Sequence, residues 1–161
     1  MELAEIPGDE TLPQGEVVPK LRNVLAIIAG IVIGGAVNMA LVMLGPSLIS
    51  PPAGVDPTNA ESLAQSIHLF EARHFVMPFL AHALGTLAGA LAAYAIAVTY
   101  RRTIAMAIGV FFLLGGVAAS FMIPAPAWFI ALDLVAAYLP MAWLGARLGA
   151  RLTGGMSLSA A

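Results

Sequence analysis

The segment VLAIIAGIVIGGAVNMALVML fills residues 24–44 and is the most informative part of the chain. It carries no charged side chain, and no charged residue occurs between Arg22 and Asp56. A helix rises about 1.5 Å per residue, so a run of this length crosses the roughly 30 Å of hydrocarbon in a bilayer. The segment therefore predicts a membrane-spanning helix.

Three further apolar segments follow, and charges or prolines mark their ends. Arg101 and Arg102 separate the second from the third, and Pro124 and Pro126 separate the third from the fourth. The predicted spans are residues 23–45, 75–100, 103–123 and 127–147, to within a few residues. The predicted organisation is a disordered acidic cytoplasmic tail at 1–21, a membrane domain at 22–150 with an outer loop at 46–74, and a cytoplasmic tail at 151–161.

The composition excludes a soluble enzyme, a disordered chain and a nucleic-acid-binding protein. Of 161 residues, 60% are apolar and 10% are charged, whereas soluble proteins average roughly 45–50% and 25%. A soluble domain of this size cannot bury so much apolar surface, and a net charge of −2 offers no basic surface for phosphates. The chain has no cysteine, which excludes disulfides and thiolate chemistry. We expect an all-α polytopic membrane protein, a four-transmembrane-helix up-down bundle.

The basic residues near the span ends indicate an orientation. Lys and Arg accumulate in cytoplasmic loops, whereas Asp and Glu contribute little to this bias. With the N-terminus inside, six of the seven basic residues are cytoplasmic and only Arg73 lies outside. The six are Lys20, Arg22, Arg101, Arg102, Arg147 and Arg151. We therefore expect both termini to face the cytoplasm.

The outer loop contains a predicted short amphipathic helix. Thr58 and Glu61 have the spacing of a capping box, in which each side chain accepts a hydrogen bond from a free backbone N–H at the helix start. Leu63, Ile67 and Phe70 follow at helical spacing. Such a helix would lie on the outer membrane surface, either as a lid that closes the bundle or as an element that gates a ligand.

Small residues recur at four-residue spacing in the predicted spans. Helices in lipid associate mainly by close backbone approach, which small side chains permit. These stripes pack the four helices of one chain together or dimerise two chains, and we favour the first because every span has one. Their members are Gly30, Gly34 and Asn38; Ala81, Gly85, Gly89 and Ala93; Gly115, Gly116 and Ala119; and Gly145 and Gly149.

Polar side chains at one depth form the candidate binding site. Ionisable residues inside a span are costly and usually face the protein interior or a water-filled cavity. Asn38, His82 and Asp133 each lie about 10 Å below the predicted outer boundary, at about 1.5 Å per residue. Thr86 lies one turn below His82, and Ser120 lies nearer the boundary. This layer predicts an Asp133–His82 pair in the bundle interior, with Asn38 hydrogen-bonded to one of the two.

Three interpretations of this layer stay open. In the first, the layer fixes helix register through satisfied polar contacts. In the second, it binds a small molecule or an ion, or relays protons. In the third, it is catalytic. A catalytic role would need a nucleophile or a metal. A Ser120–His82–Asp133 triad is one arrangement these residues permit, and the sequence contains no HExxH or GxSxG motif. One Asp and one His make a poor metal site. We therefore predict no metal, no cofactor and no catalytic residue.

Three motifs carry a family resemblance. They are PPAGVD at 51–56, LGTLAGA at 84–90 and MIPAPAWF at 122–129, with Gly145 and Arg147 near the inner end of the last span. With these motifs the chain resembles a widespread group of small bacterial four-helix integral membrane proteins with an IPxPxWF motif before the fourth span. The resemblance implies a four-helix fold in a bacterial inner membrane, and no particular activity.

The sequence leaves three functions to weigh. The first is a non-enzymatic accessory or structural subunit, since most of the mass is lipid-facing or packing surface. The second is a small oligomeric transporter or ion or proton pathway that uses Asp133 and His82, and the third is a lipid-acting enzyme. The expected partners are the lipid bilayer and either further copies of the chain or a larger membrane complex, without nucleic acid. A water-accessible cavity that reaches Asp133 would favour transport, and a dry, packed layer would favour a subunit.

Overall fold

The computed structural model describes residues 14–158 and contains only helices and connecting turns within that range. Six α-helices are α1 (Gln14–Leu48), α2 (Ala60–Ser66), α3 (Val76–Ile96), α4 (Arg101–Met122), α5 (Ala127–Ala136) and α6 (Leu139–Leu158), and two short 3₁₀ turns cover Ile67–Leu69 and Ala72–Phe75. Four helical segments are long and apolar enough to cross a membrane: Val17–Leu48, Ala72–Ile96, Arg101–Met122 and Ala127–Gly154. The all-helical, multi-pass character expected from the sequence is therefore confirmed.

The helices extend further than predicted at both ends of the described chain. Helix α1 begins at Gln14, so residues 14–21 are helical and the prediction of a disordered tail is wrong for them; residues 1–13 lie outside the described range. Helix α6 likewise continues to Leu158 beyond the predicted end of the fourth span. Once a helix is nucleated, each added residue gains a backbone hydrogen bond at little cost, so the apolar spans extend into their polar flanks.

The turn between α3 and α4 is held by side chains from neighbouring helices. Helix α3 ends at Ile96, four residues before the predicted end, and Tyr100 adopts the left-handed conformation at φ 51°. Asn23 Oδ1 accepts hydrogen bonds from the backbone N–H groups of Val98 and Thr99, at 3.1 and 3.4 Å. Arg22 of α1 donates to the Ile96 carbonyl at 3.3 Å. These contacts satisfy backbone groups that the end of a helix leaves without partners.

The fourth span is interrupted at Ala137 and Tyr138, between α5 and α6. Pro140 causes the interruption, because proline has no N–H to donate to the carbonyl of Ala136 and its ring crowds the preceding turn. The break therefore lies in the turn before Pro140, where a proline is expected to kink a helix. As a result Tyr138 leaves the regular helix and its side chain packs against α4, where a Cβ on Gly116 would collide with the Tyr138 ring.

Helices α1 and α3 touch backbone to backbone at four glycines. A Cβ atom on Gly30 would lie 2.9 Å from the Gly89 carbonyl oxygen, and one on Gly34 would lie 2.8 Å from the Gly85 carbonyl oxygen. Such distances leave no room for a side chain on either helix, as in close helix packing in lipid. The pairing of Gly30 with Gly89 and of Gly34 with Gly85 makes α1 and α3 antiparallel.

Helix α6 packs between α3 and α4 through further small residues. Gly145 lies against the Leu87 carbonyl and Gly149 against the Tyr94 ring, so α6 runs parallel to α3. A Cβ on Gly109 of α4 would collide with Ala142 of α6. The small-residue stripes thus pack helices of the same chain at these positions, as predicted. Gly115 differs, because a Cβ there would meet nothing within 4 Å.

The connection between α1 and α3 differs from its prediction in two ways. The N-cap of α2 is Asn59, whose Oδ1 accepts from the N–H groups of Glu61 at 2.9 Å and Ser62 at 3.1 Å, so the predicted Thr58 capping box is wrong. The helix also ends at Ser66, and the backbone at Phe70 is extended. Asn59 prevails because an Asx side chain caps as well as a hydroxyl does, and Thr58 is engaged by Asp56.

The first testable prediction compares two adjacent glycines of α1. We expect Gly34→Ala to lower the free energy of unfolding by about 1–3 kcal/mol relative to Gly35→Ala, because the added methyl overpacks the contact with Gly85 and Phe112. Gly35 has open space around it, so the control variant receives the same gain in helix propensity without a clash. Thermal unfolding in detergent measures both, and equal midpoints would contradict the described α1–α3 contact.

A second prediction concerns Asp56, which lies outside the membrane-spanning helices. The Thr58 hydroxyl donates to Asp56 Oδ1 at 2.7 Å and the Thr58 N–H donates at 2.8 Å, and these bonds lower the pKa of Asp56. We expect Thr58→Val to raise this pKa towards its ordinary value, because the hydroxyl donor is lost. A carboxylate with a depressed pKa stabilises the loop at neutral pH and ceases to do so as the pH falls through that pKa.

Carboxyl-carbon NMR against pH measures the change. Ser62→Ala is the control. The Ser62 hydroxyl oxygen accepts a hydrogen bond from the Asp56 backbone N–H at 3.0 Å, so this variant removes a hydroxyl near Asp56 that is not a donor to its carboxylate. An unchanged Asp56 pKa in Thr58→Val would show that the hydroxyl bond does not form in solution.

Candidate functional site

The predicted pair of ionisable side chains is present at the centre of the candidate site. His82 lies in the second turn of α3 and Asp133 lies in α5. His82 Nδ1 is 2.9 Å from both Oδ1 and Oδ2 of Asp133. The Asp133 side chain is 7% exposed and that of His82 is 28% exposed, so the carboxylate is the inner member of the pair. The structure therefore confirms the predicted Asp133–His82 contact.

Tyr138 is the third member of this cluster, and the sequence reasoning missed it. Its hydroxyl donates to Asp133 Oδ2 at 2.9 Å, and its ring stacks on the His82 imidazole with 5.7 Å between centroids and 27° between planes. In an unbroken helix a residue five positions after Asp133 points about 140° away from it. The interruption before Pro140 removes that constraint, so the combination of Asp133, Tyr138 and Pro140 was the signal available in the sequence.

The hydrogen bonds of Asp133 fix where the imidazole carries its proton. An ionised carboxylate only accepts hydrogen bonds, so Nδ1 of His82 must donate. In neutral imidazole the other ring nitrogen, Nε2, then carries a lone pair. Nε2 has no hydrogen-bond partner among residues 14–158. Asp133 and the stacked Tyr138 ring thus hold His82 with one nitrogen engaged and the other available.

A cavity of about 220 Å³ adjoins this cluster. With about 30 Å³ for each molecule of liquid water, it has space for roughly seven waters. His82 and Tyr138 form part of its wall, and both hydrogen-bond to Asp133. Its wall is formed by Asn38, His82, Thr86, Phe112, Gly115, Gly116, Ala119 and Tyr138. The polar layer therefore adjoins open space and is not packed on every side, although Asp133 itself does not line the cavity.

Asn38 and Thr86, two residues of the predicted polar layer, also line the cavity. The Thr86 hydroxyl donates to the His82 carbonyl at 2.7 Å, which is a bond within α3. Asn38 differs from its prediction, because its Oδ1 is buried without a hydrogen-bond partner and so accepts nothing from His82. A buried amide oxygen without a partner costs about 1–3 kcal/mol, and such an atom is unusual in a layer that serves only packing.

Ser120 is separate from this site. Its hydroxyl donates to the Val117 carbonyl of its own helix at 2.7 Å, and it does not line the cavity. A Ser120–His82–Asp133 triad is therefore not assembled, since the nucleophile and base of such a triad must be within hydrogen-bond reach. In the described part of the chain, no group of three or more His, Asp or Glu residues is placed to hold a metal ion.

Comparisons with known proteins add no constraint on this site. No family model, no curated protein and no solved structure matches the chain. The resemblance to small bacterial four-helix membrane proteins therefore stays a prediction, and the functional argument depends on the geometry of the site.

A third prediction tests whether the cluster is coupled. We expect Asp133→Leu to lower the free energy of unfolding by about 1–3 kcal/mol for each donor left without an acceptor, here the Tyr138 hydroxyl and the His82 N–H. Tyr138→Phe removes one of these donors. The double variant should therefore lose less stability than the sum of the two single losses, as interacting neighbours do.

Chemical unfolding of the four proteins in detergent measures this cycle. Ser120→Ala serves as the control for loss of a polar group, because its hydroxyl bonds only to its own helix. Additive losses from Asp133→Leu and Tyr138→Phe would show that the two side chains do not interact.

Proposed function

We propose that this chain is a multi-pass membrane protein that binds a small polar solute in the cavity beside His82. Several copies of the chain would together form a transporter, or a pathway for ions or protons. The observation that carries the proposal is the free Nε2 of His82, held at the wall of a cavity by Asp133 and Tyr138. An ionisable residue at membrane depth is by default a candidate functional residue. Here the residue also has an unused hydrogen-bonding atom beside space for a ligand.

Packing alone is a weaker explanation of the same cluster. Side chains that only fix helix register would satisfy one another, because unsatisfied polar atoms are costly away from water. Thr86 and Ser120 follow that rule through bonds within their own helices. Asn38 Oδ1 does not follow it, because it is buried without a partner. His82 Nε2, which lies on another helix of the same cavity and is less buried, also has no partner in the described part of the chain. A bound solute or water would supply their missing partners.

The proposed arrangement in the membrane is an up-down bundle with both termini in the cytoplasm of a bacterial cell. The antiparallel contact of α1 with α3 and the parallel contact of α3 with α6 support it. The concentration of Lys and Arg at one side of the spans supports the orientation. In this arrangement α2 is the proposed surface helix, and the His82 side of the cavity is nearer the outer face.

An accessory subunit is the second candidate, and the exposure of α1 favours it. Helix α1 presents small residues to α3, whereas its large apolar side chains are mostly exposed. Val24, Ile28, Val32, Met39 and Met43 are each more than half exposed. This face contacts either lipid or another membrane helix, and it is also where further copies of the chain could enclose a pathway.

The fourth prediction tests access to the cavity with single cysteines, because the natural chain has none. Gly115→Cys places a thiol on the cavity wall in open space, and Gly35→Cys places one in open space on α1 away from that wall. We expect polar methanethiosulfonate reagents to label Gly115→Cys at least about tenfold faster in membrane vesicles. The reacting thiolate forms in water but not in hydrocarbon, which is the reason for the difference.

Mass spectrometry after timed quenching gives the two rates. Equally slow labelling of both variants would overturn the proposal of a solute site and favour the accessory subunit. Native mass spectrometry from lipid nanodiscs then distinguishes a homo-oligomer, which a transport pathway needs, from a complex with other chains.

A further inference from the structure

We infer that the solute is a small protonated amine, bound through an N–H that donates to His82 Nε2. This inference rests on the proposed function, since it names the chemical class of the ligand for the same cavity. It follows from the two acceptors of the wall that have no partner and from the sign of the nearest charge.

The hydroxyl hydrogens of the wall are already used. The Thr86 hydroxyl donates to the His82 carbonyl, and the Tyr138 hydroxyl donates to Asp133. The Nδ1 hydrogen of His82 is also directed at Asp133. With Nδ1 donating to Asp133, the neutral imidazole of His82 presents to a ligand the lone pair of Nε2, which accepts a hydrogen bond. Asn38 adds a second acceptor without a partner, its buried Oδ1, so a ligand that satisfies both acceptors must bring donors of its own.

The charge beside the cavity favours a cation. Asp133 lies directly behind His82, and no Lys or Arg contributes to the described wall. An anion would meet a lone pair with a carboxylate behind it, and both repel negative charge. The Phe112 ring also lines the cavity, and aromatic faces attract ammonium groups. An ammonium group satisfies all three features because it is positive, donor-rich and compatible with an aromatic wall.

The volume limits the size of the amine. A cavity of about 220 Å³ holds ammonium or an alkylamine of a few carbon atoms. The same ammonium chemistry is present in the headgroup of phosphatidylethanolamine, so the ligand could be free in water or belong to a lipid. The chemistry is shared, and only the source differs.

Methylammonium is the probe for the test, and the protein is the full chain with ¹⁵N-labelled histidine in phosphatidylcholine nanodiscs. We expect methylammonium to shift the His82 Nε2 resonance in a saturable manner. Tetramethylammonium has the same charge but no N–H, and we expect it to bind at least about tenfold more weakly, equivalent to roughly 1.4 kcal/mol for the lost hydrogen bond. Acetate should cause no saturable shift. His68 and His74 are the other two histidines and give an internal control in the same spectrum.

Two neighbouring phenylalanines give a matched pair of variants. Phe112 lines the cavity, whereas Phe111 is outside its wall and about half exposed. We expect Phe112→Leu to weaken methylammonium binding about two- to fivefold, as loss of a cation–π contact would, and Phe111→Leu to leave it unchanged. Equal effects of the two variants would overturn the assignment of the amine to this cavity.

The outcomes separate the two proposals. Suppose that Gly115→Cys is labelled but methylammonium gives no saturable shift, or that acetate or tetramethylammonium binds as tightly as methylammonium. The amine assignment is then wrong, and the solute site stands. If Gly115→Cys is not labelled and no probe shifts His82, both proposals fail. Repeating the titration with phosphatidylethanolamine in the nanodisc distinguishes the sources: a His82 shift before any methylammonium is added identifies the lipid headgroup as the amine.

Discussion

The structure depends on one constraint, the absence of water as a hydrogen-bond partner within the hydrocarbon. Backbone groups meet it by forming helices, which satisfy their N–H and C=O groups internally. Side chains meet it locally, as Thr86 and Ser120 do by bonding to carbonyls of their own helices. At the end of α3, the Arg22 and Arg101 side chains donate hydrogen bonds to carbonyl groups of its last turn. The candidate site is informative because it departs from this pattern, with Nε2 of His82 and Oδ1 of Asn38 left without partners.

Features that depend on spacing along a helix could be predicted from the sequence. Charges are rare in this chain and separate the apolar runs, so the four spans are readable. Depth in the membrane also follows from residue counting, because each helical residue advances by a fixed rise. Asp133 and His82 are 51 positions apart, yet equal depth alone predicted their contact. The glycine stripes of α1 and α3 were also readable from spacing, whereas the pairing of Gly34 with Gly85 came from the structure.

Features that depend on local breaks or on competition between neighbours could not be predicted. Tyr138 joins the site only because the helix is interrupted before Pro140, and the direction of a side chain after a break does not follow from periodicity. Asn59 and Thr58 are both good N-caps, and the choice between them depends on Asp56 engaging Thr58. Asn38 packs closely against Gly85 of α3, yet its side-chain oxygen has no partner, and residue depth does not specify the direction of a side chain.

The turn between α3 and α4 has a consequence for how the chain is assembled. Tyr100 is held at φ 51°, a conformation that costs a non-glycine residue roughly 1–2 kcal/mol. The groups that hold the turn, Arg22 and Asn23, belong to α1, which is synthesised before α3 and α4. Domains generally fold from the N-terminus during synthesis. Helix α1 is therefore in place to stabilise the turn when α3 and α4 enter the bilayer. A chain without α1 would have to form this turn without the side chains that stabilise it.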